Sequence, residues 1–147
     1  MKLTRVKRLL KIREFELKQV QSQYAVVLSE LSQLEREIER MEKYRNRLRE
    51  ELFSLQRNRQ GFKAEEMQGL YRFVVFVERR LFSLERQKQD TESYLERLRQ
   101  IMLERKKEKD IVDKIKAKVE LDELRQAVEK ERKEADEKAT QQFGQLR

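Results

Sequence analysis

Apolar residues in the first third of this chain return at alternating steps of three and four. The series is Leu3, Val6, Leu10, Leu17, Val20, Tyr24, Val27, Leu31, Leu34, Ile38, Met41, Leu48, Leu52 and Leu55, with Arg13 and Arg45 at the two steps that are not apolar. A repeat every 3.5 residues, held this long, is the sequence form of a coiled-coil seam. At about 1.5 Å per residue, one unbroken helix over this stretch runs roughly 80 Å. Such a helix has no buried side of its own and must be covered by another. Arg13 and Arg45 interrupt an apolar line, and an unpaired charge there costs several kcal/mol. Arg45 must therefore snorkel to water or meet a carboxylate on the opposing helix.

The rhythm stops at Leu55. The following segment, QRNRQGFKAEEMQG, holds two of the three glycines of the chain. Gly61 is the expected helix stop, because glycine takes positive φ without strain. Glu65 and Glu66 then fall where a new helix amino terminus favours negative charge. The seam resumes at Leu70, Val74, Val77, Leu81, Leu84, Lys88, Thr91, Leu95, Leu98 and Met102. A connection this short predicts antiparallel neighbours. The expected fold is all-α, a long antiparallel two-helix coiled-coil hairpin forming a single domain over residues 1–147. Its first helix spans about 3–58, the turn about 59–64 and the second helix about 65–142. Past Met102 the seam weakens through Arg105 and Lys109, resumes at Val112, Ile115 and Val119, and shifts phase to Leu121, Leu124 and Val128. The second helix should therefore outrun its partner.

Composition supports this picture. Charged residues make up 44% of the 147 residues, and there is no proline. Proline inside a helix costs about 3 kcal/mol, so its absence matters in a fold that buries little core per residue. The chain also lacks cysteine and histidine, which removes disulfides, thiolate metal sites and the commonest general base. No apolar run approaches the ~18 residues that span a bilayer, and a soluble cytoplasmic protein is expected. The net charge of +8 suits an acidic partner. However, lysines and arginines alternate with glutamates over most of the length, as on a solvated helix surface laced with i,i+4 pairs.

Two stretches depart from that plain surface. Residues 1–14, MKLTRVKRLLKIRE, set Lys2, Arg5, Lys7, Arg8, Lys11 and Arg13 against the single acid Glu14. This is a basic amphipathic segment that can dock on an acidic surface, or simply begin the seam. The second stretch is YRFVVFVERRLFSL, Tyr71 to Leu84. Its seam residues already fill one side, while Phe73 and Phe76 lie to one flank and Tyr71, Val75 and Phe82 to the other. A helix apolar nearly all round within a polar chain marks a contact site. Catalysis has no foothold here. There is no GxxxxGK[ST] phosphate loop, and the adjacent pairs Asp122–Glu123 and Asp136–Glu137 splay about 100° apart on a helix. No cofactor or metal is expected.

Three segments carry a family resemblance. The opening RVKRLLKIREFELKQ resembles the basic, leucine-rich start of the FliJ family of the bacterial flagellar type III export apparatus. MQGLYRFVVFVERRL is similar to the beginning of that family's second long helix. The tail ERKKEKDIVDKIKAKVELDELRQ, with KEADEKATQQF and its Asp136–Glu137 pair, resembles the family's Lys/Glu-rich closing portion. The resemblance covers nearly the whole chain. It implies a non-enzymatic cytoplasmic protein at the base of the flagellum, similar in shape to the stalk of rotary ATPases. The partners it implies are the flagellar export ATPase, whose ring it stimulates, the cytoplasmic part of the membrane export-gate protein, and export chaperones. No nucleic acid is expected among them. The family's gate-binding stripe falls on Phe73, Val77, Arg80 and Leu84, with Arg80 where a small residue is the rule. Tyr71, Val75, Phe76 and Phe82 add exposed apolar surface beside it. The ATPase-ring contact falls on Arg5, Lys7, Arg8, Lys11 and Arg13. Two other readings remain open at this point: the equivalent stalk of a virulence-type III secretion system, and a basic coiled-coil scaffold or nucleic-acid binder.

Overall fold

The structure, a computed structural model, describes residues 2–57 and 64–145. It contains two helices, α1 (Leu3–Arg57) and α2 (Ala64–Gln145), packed against each other. The expected turn and its Gly61 stop lie outside the described residues, apart from Ala64, which opens α2. Strong helix formers, chiefly Leu, Arg, Glu, Lys and Gln, fill both helices and keep them continuous. Glu65 and Glu66 stand in the first turn of α2, where they complement the helix dipole.

By their contacts the residues form two compact units, Gln21–Gln100 and Met1–Val20 with Ile101–Arg147. Each contains a piece of α1 against a piece of α2. In the first unit the core is Ile38, Leu48, Val74, Val77, Leu81 and Leu84, with Leu34, Met41 and Leu70 packed around it. Every one of these is a step of the three-four series. Arg49 pairs with Glu78 and Glu37 with Arg80, so the partner number on α2 falls as the number on α1 rises, and the helices run antiparallel. In the second unit Val6, Leu10 and Val112 form the core, with Leu9 and Val119 against them. Arg13 there pairs with Glu108 and Glu16 with Arg105, which again sets an antiparallel order.

The charged steps of the seam find three different solutions. Arg13 donates to Glu16 at 3.1 Å and to Glu108 at 3.2 Å, while Arg105 reaches the same two carboxylates at 3.9 and 3.2 Å. Two cations and two anions thus close a ring across the helix pair, although the Nε of Arg13 is itself buried without a hydrogen-bond partner. Lys88 lies half-buried and extends toward Glu92 at 4.0 Å, its stem covering the seam. Thr91, also half-buried, returns its hydroxyl to the Gln87 carbonyl at 2.8 Å. Arg45 differs. It makes no ion pair among the described residues, and its Nε, like that of Arg13, is buried without a hydrogen-bond partner. Of the two expected solutions, snorkelling and an opposing carboxylate, the second is absent; only the Nε is buried without a partner, and that atom costs stability.

Beyond Val119 no described residue covers α2, and residues 120–145 are exposed throughout. The phase shift to Leu121, Leu124 and Val128 marks this change, since all three side chains are exposed.

Two outcomes follow for stability. Leu84→Ala removes a fully buried side chain and should cost about 2–4 kcal/mol, lowering the thermal midpoint by several degrees in a calorimetric scan. Arg45→Leu should raise the midpoint, by about 1 kcal/mol of added stability, because it replaces an unsatisfied polar group with a seam residue. A lowered midpoint for Arg45→Leu would show that the guanidinium is satisfied after all.

Candidate partner-binding surfaces

The aromatic stretch of α2 lies wholly in the unit Gln21–Gln100, and α1 covers only one of its sides. The four residues of the expected gate stripe divide between inside and outside. Val77 is 1% exposed and Leu84 0%, both sealed in the core beneath α1. Leu84 is out of a partner's reach while the helices stay paired, and Val77 shows no more than an edge. Arg80 is half-buried and donates to Glu37 on α1 at 3.0 Å, which ties it across the seam. Phe73, at 56% exposed, faces outward. The physical reason is the period: Val77 and Leu84 fall on the three-four series, whereas Phe73 and Arg80 each sit one residue before a seam step.

The rest of the apolar collar is outside. Tyr71 and Phe82 are exposed and Phe76 is 65% exposed, while Val75 is half-buried. Three aromatic rings held on a rigid helix keep their apolar faces in water, and such a cluster favours association. The helix cannot hide them, because turning any of them inward would expel a seam residue.

Phe73 and Phe76 do not stand alone. They form one wall of a groove of about 640 Å³ whose other wall is α1, through Arg40, Tyr44 and Arg47, with Met41 and Val77 at its base. Reading α2 by itself misses this contribution from the opposite helix. The signal was nonetheless present. Arg40, Tyr44 and Arg47 each precede a seam position (Met41, Arg45, Leu48), as Phe73 and Phe76 precede Val74 and Val77. In an antiparallel pair those preceding positions flank the same side of the seam, as the Glu37–Arg80 bridge on that side also shows. The following positions flank the other side, where Arg49 meets Glu78. There Tyr71 borders a second, smaller groove with Leu52 and Met67.

The basic start of α1 belongs to the other unit. Arg5, Lys7, Arg8 and Lys11 are all exposed, and none makes an ion pair among the described residues. Arg13 is set apart from them: half-buried and held by Glu16 and Glu108, it has its charge already answered. The first turn of α1 carries no acid. Positive charge at a helix amino terminus opposes the dipole. Arg5 stands in that first turn, and Lys7, Arg8 and Lys11 follow it along the helix. They form a projecting basic surface.

Among the described residues no helix is long and apolar enough to cross a membrane. Nor does any cluster of acidic side chains there have the grouping to hold a metal ion.

No curated protein and no solved structure matches the chain. A family model does, described as flagellar FliJ protein, and it matches residues 1–147. The two long helices, the aromatic opening of α2 and the basic opening of α1 all lie within that match, and the chain belongs to the FliJ family of flagellar export proteins.

Proposed function

We propose that this protein is a non-enzymatic stalk of the flagellar type III export apparatus, working at the base of the flagellum between the export ATPase ring and the membrane export gate. Membership of the family supports the flagellar assignment over a virulence-type system or a nucleic-acid binder. The observation that carries the partner reading is the exposure of Phe73 and Phe76 directly above a closed core. Side chains this large, fixed on a helix and not needed for the seam, are available to a partner at little cost in stability. The gate contact is assigned to Phe73 with Tyr71, Phe76 and Phe82, while Val75 supports their flank. Val77 and Leu84 act from beneath by holding α2 in place, and Arg80 fixes the register through Glu37.

The ATPase contact is assigned to Arg5, Lys7, Arg8 and Lys11. Their charges are unanswered within the described residues, and that of Arg5, in the first turn, opposes the dipole of its own helix. An acidic surface on the ring supplies the missing counter-charge. Such contacts chiefly raise the rate of encounter and weaken with salt. Arg13 serves the helix pairing rather than the ring. Export chaperones are further partners in this reading.

The two surfaces should be separable by mutation. Phe73→Ala with Phe76→Ala should leave the thermal midpoint within a few degrees of the parent, since exposed sites contribute little to folding. The same variant should lose at least about ten-fold in affinity for the cytoplasmic part of the gate protein, as a central aromatic contact does when truncated. Val77→Ala, by contrast, should lower the midpoint by about 1–3 kcal/mol of stability. Gate binding unaffected by loss of both phenylalanines would remove the site assignment. Charge reversal at Arg5, Arg8 and Lys11 should depress stimulation of the ATPase and spare gate binding. Normal stimulation by that variant would detach the amino-terminal segment from the ring.

A further inference from the structure

We propose that the groove between α1 and α2 in the unit Gln21–Gln100 is a composite docking site for an acidic amphipathic helix of a partner protein, half of it supplied by Arg40, Tyr44 and Arg47 of α1. The proposal deepens the gate-contact reading and rests on it. It names the chemistry of the bound segment and adds three residues of the opposite helix.

The shape of the site selects a helix. Both walls are α-helices whose backbone groups are bonded internally, so an extended strand would find no main-chain partners here. Arg40, Tyr44 and Arg47 are spaced i, i+4, i+7, and Phe73 and Phe76 are spaced i, i+3. Rows with that spacing are the ridges between which a third helix lays its own ridge. The base is apolar, through Met41 and Val77. Phe73 and Phe76 remain largely open to solvent, and Tyr44 partly so. The incoming helix must therefore present an apolar stripe.

The charges at the rim select its flanks. Glu37, the one acid beside the groove, is committed to Arg80 at 3.0 Å. Lys43 is held by Glu39 at 3.4 Å. Arg40 and Arg47 are exposed and have no ion-pair partner among the described residues. Two forked guanidinium donors stand about two turns apart along one side of an apolar trough. Carboxylates at matching spacing on the incoming helix answer them with charge-assisted hydrogen bonds. A second copy of this chain fits poorly. Its net charge is +8, and pairing groove to groove would set these arginines against cations.

The test uses the full chain and two synthetic helical peptides with leucine along one face, flanked in one by glutamate and in the other by lysine. Fluorescence anisotropy should show binding of the glutamate peptide, weakened by added salt, and little binding of the lysine peptide. Arg40→Glu with Arg47→Glu should weaken the glutamate peptide at least about ten-fold, and Tyr44→Ala should weaken it several-fold. Both variants alter exposed side chains and should melt like the parent. Equal binding of the two peptides, or undiminished binding by the double arginine variant, overturns the proposal. So does a dimer of the parent chain in sedimentation that this variant abolishes, because the face would then belong to a second copy. The cytoplasmic part of the gate protein separates the two levels of the argument. If Phe73→Ala with Phe76→Ala loses it while the double arginine variant retains it, the α1 half falls and the gate reading stands. If all variants bind it equally while the peptides still discriminate, the gate reading falls and the groove's preference for an acidic helix stands.

Discussion

A pair of helices touches along one line, and this chain places nearly all of its burial on that line. The core residues, from Val6 and Leu10 on α1 to Leu84, Leu98 and Val112 on α2, are steps of two three-four series, one on each helix. No second layer exists to absorb an error. Each seam side chain is therefore covered by few neighbours and each loss is felt. For the same reason any large apolar group off the line stays in water, whatever its size. Phe73, Phe76 and Phe82 are exposed because the fold has no other inside to offer them.

That constraint also explains how charge is distributed. On the seam, charge is closed into a set in the ring of Arg13, Glu16, Arg105 and Glu108, while Lys88 and Lys109 each reach a single acid four residues on. Arg45, which lacks such a set, leaves a buried nitrogen unanswered. Off the seam, a minority of the cations are paired locally, such as Lys43 with Glu39 and Lys116 with Glu120. These exposed pairs keep the helices soluble and add only a few tenths of a kcal/mol each. Arg5, Lys7, Arg8 and Lys11 in one unit and Arg40 and Arg47 in the other are among the many exposed cations with no ion-pair partner among the described residues. What sets these two groups apart is their setting: one forms the basic opening of α1 and the other borders the groove beside Phe73 and Phe76.

Most of the fold is legible in the sequence because one period determines both the helices and their buried faces. The series from Leu3 to Leu55 and from Leu70 to Met102 marks positions that are all buried or half-buried, and the phase shift after Val119 marks where coverage ends. The site is less legible, for a definite reason. Family resemblance points to a stripe along α2, but a stripe drawn at steps of three and four from Phe73 crosses from the surface into the seam. Val77 and Leu84 thus lie under α1 while Phe73 lies outside. Nor does a pattern along one helix report what the other brings beside it. The contribution of Arg40, Tyr44 and Arg47 emerges only when the two helices are set antiparallel and their flanking positions compared. The ring around Arg13 is hidden in the same way, since its partners come from residues far apart in the chain.

The central claim is that α1 and α2 of one molecule pair antiparallel, with Glu37 beside Arg80. The chain has no native cysteine, so this can be tested by a single introduced pair, Glu37→Cys with Arg80→Cys, and a short bis-maleimide reagent at low protein concentration. The account predicts rapid cross-linking within the monomer, seen as one species of unchanged mass class and confirmed by a linked peptide joining the two sites. Cross-linked dimers as the main product, or no link between these positions while each cysteine reacts singly, would contradict it.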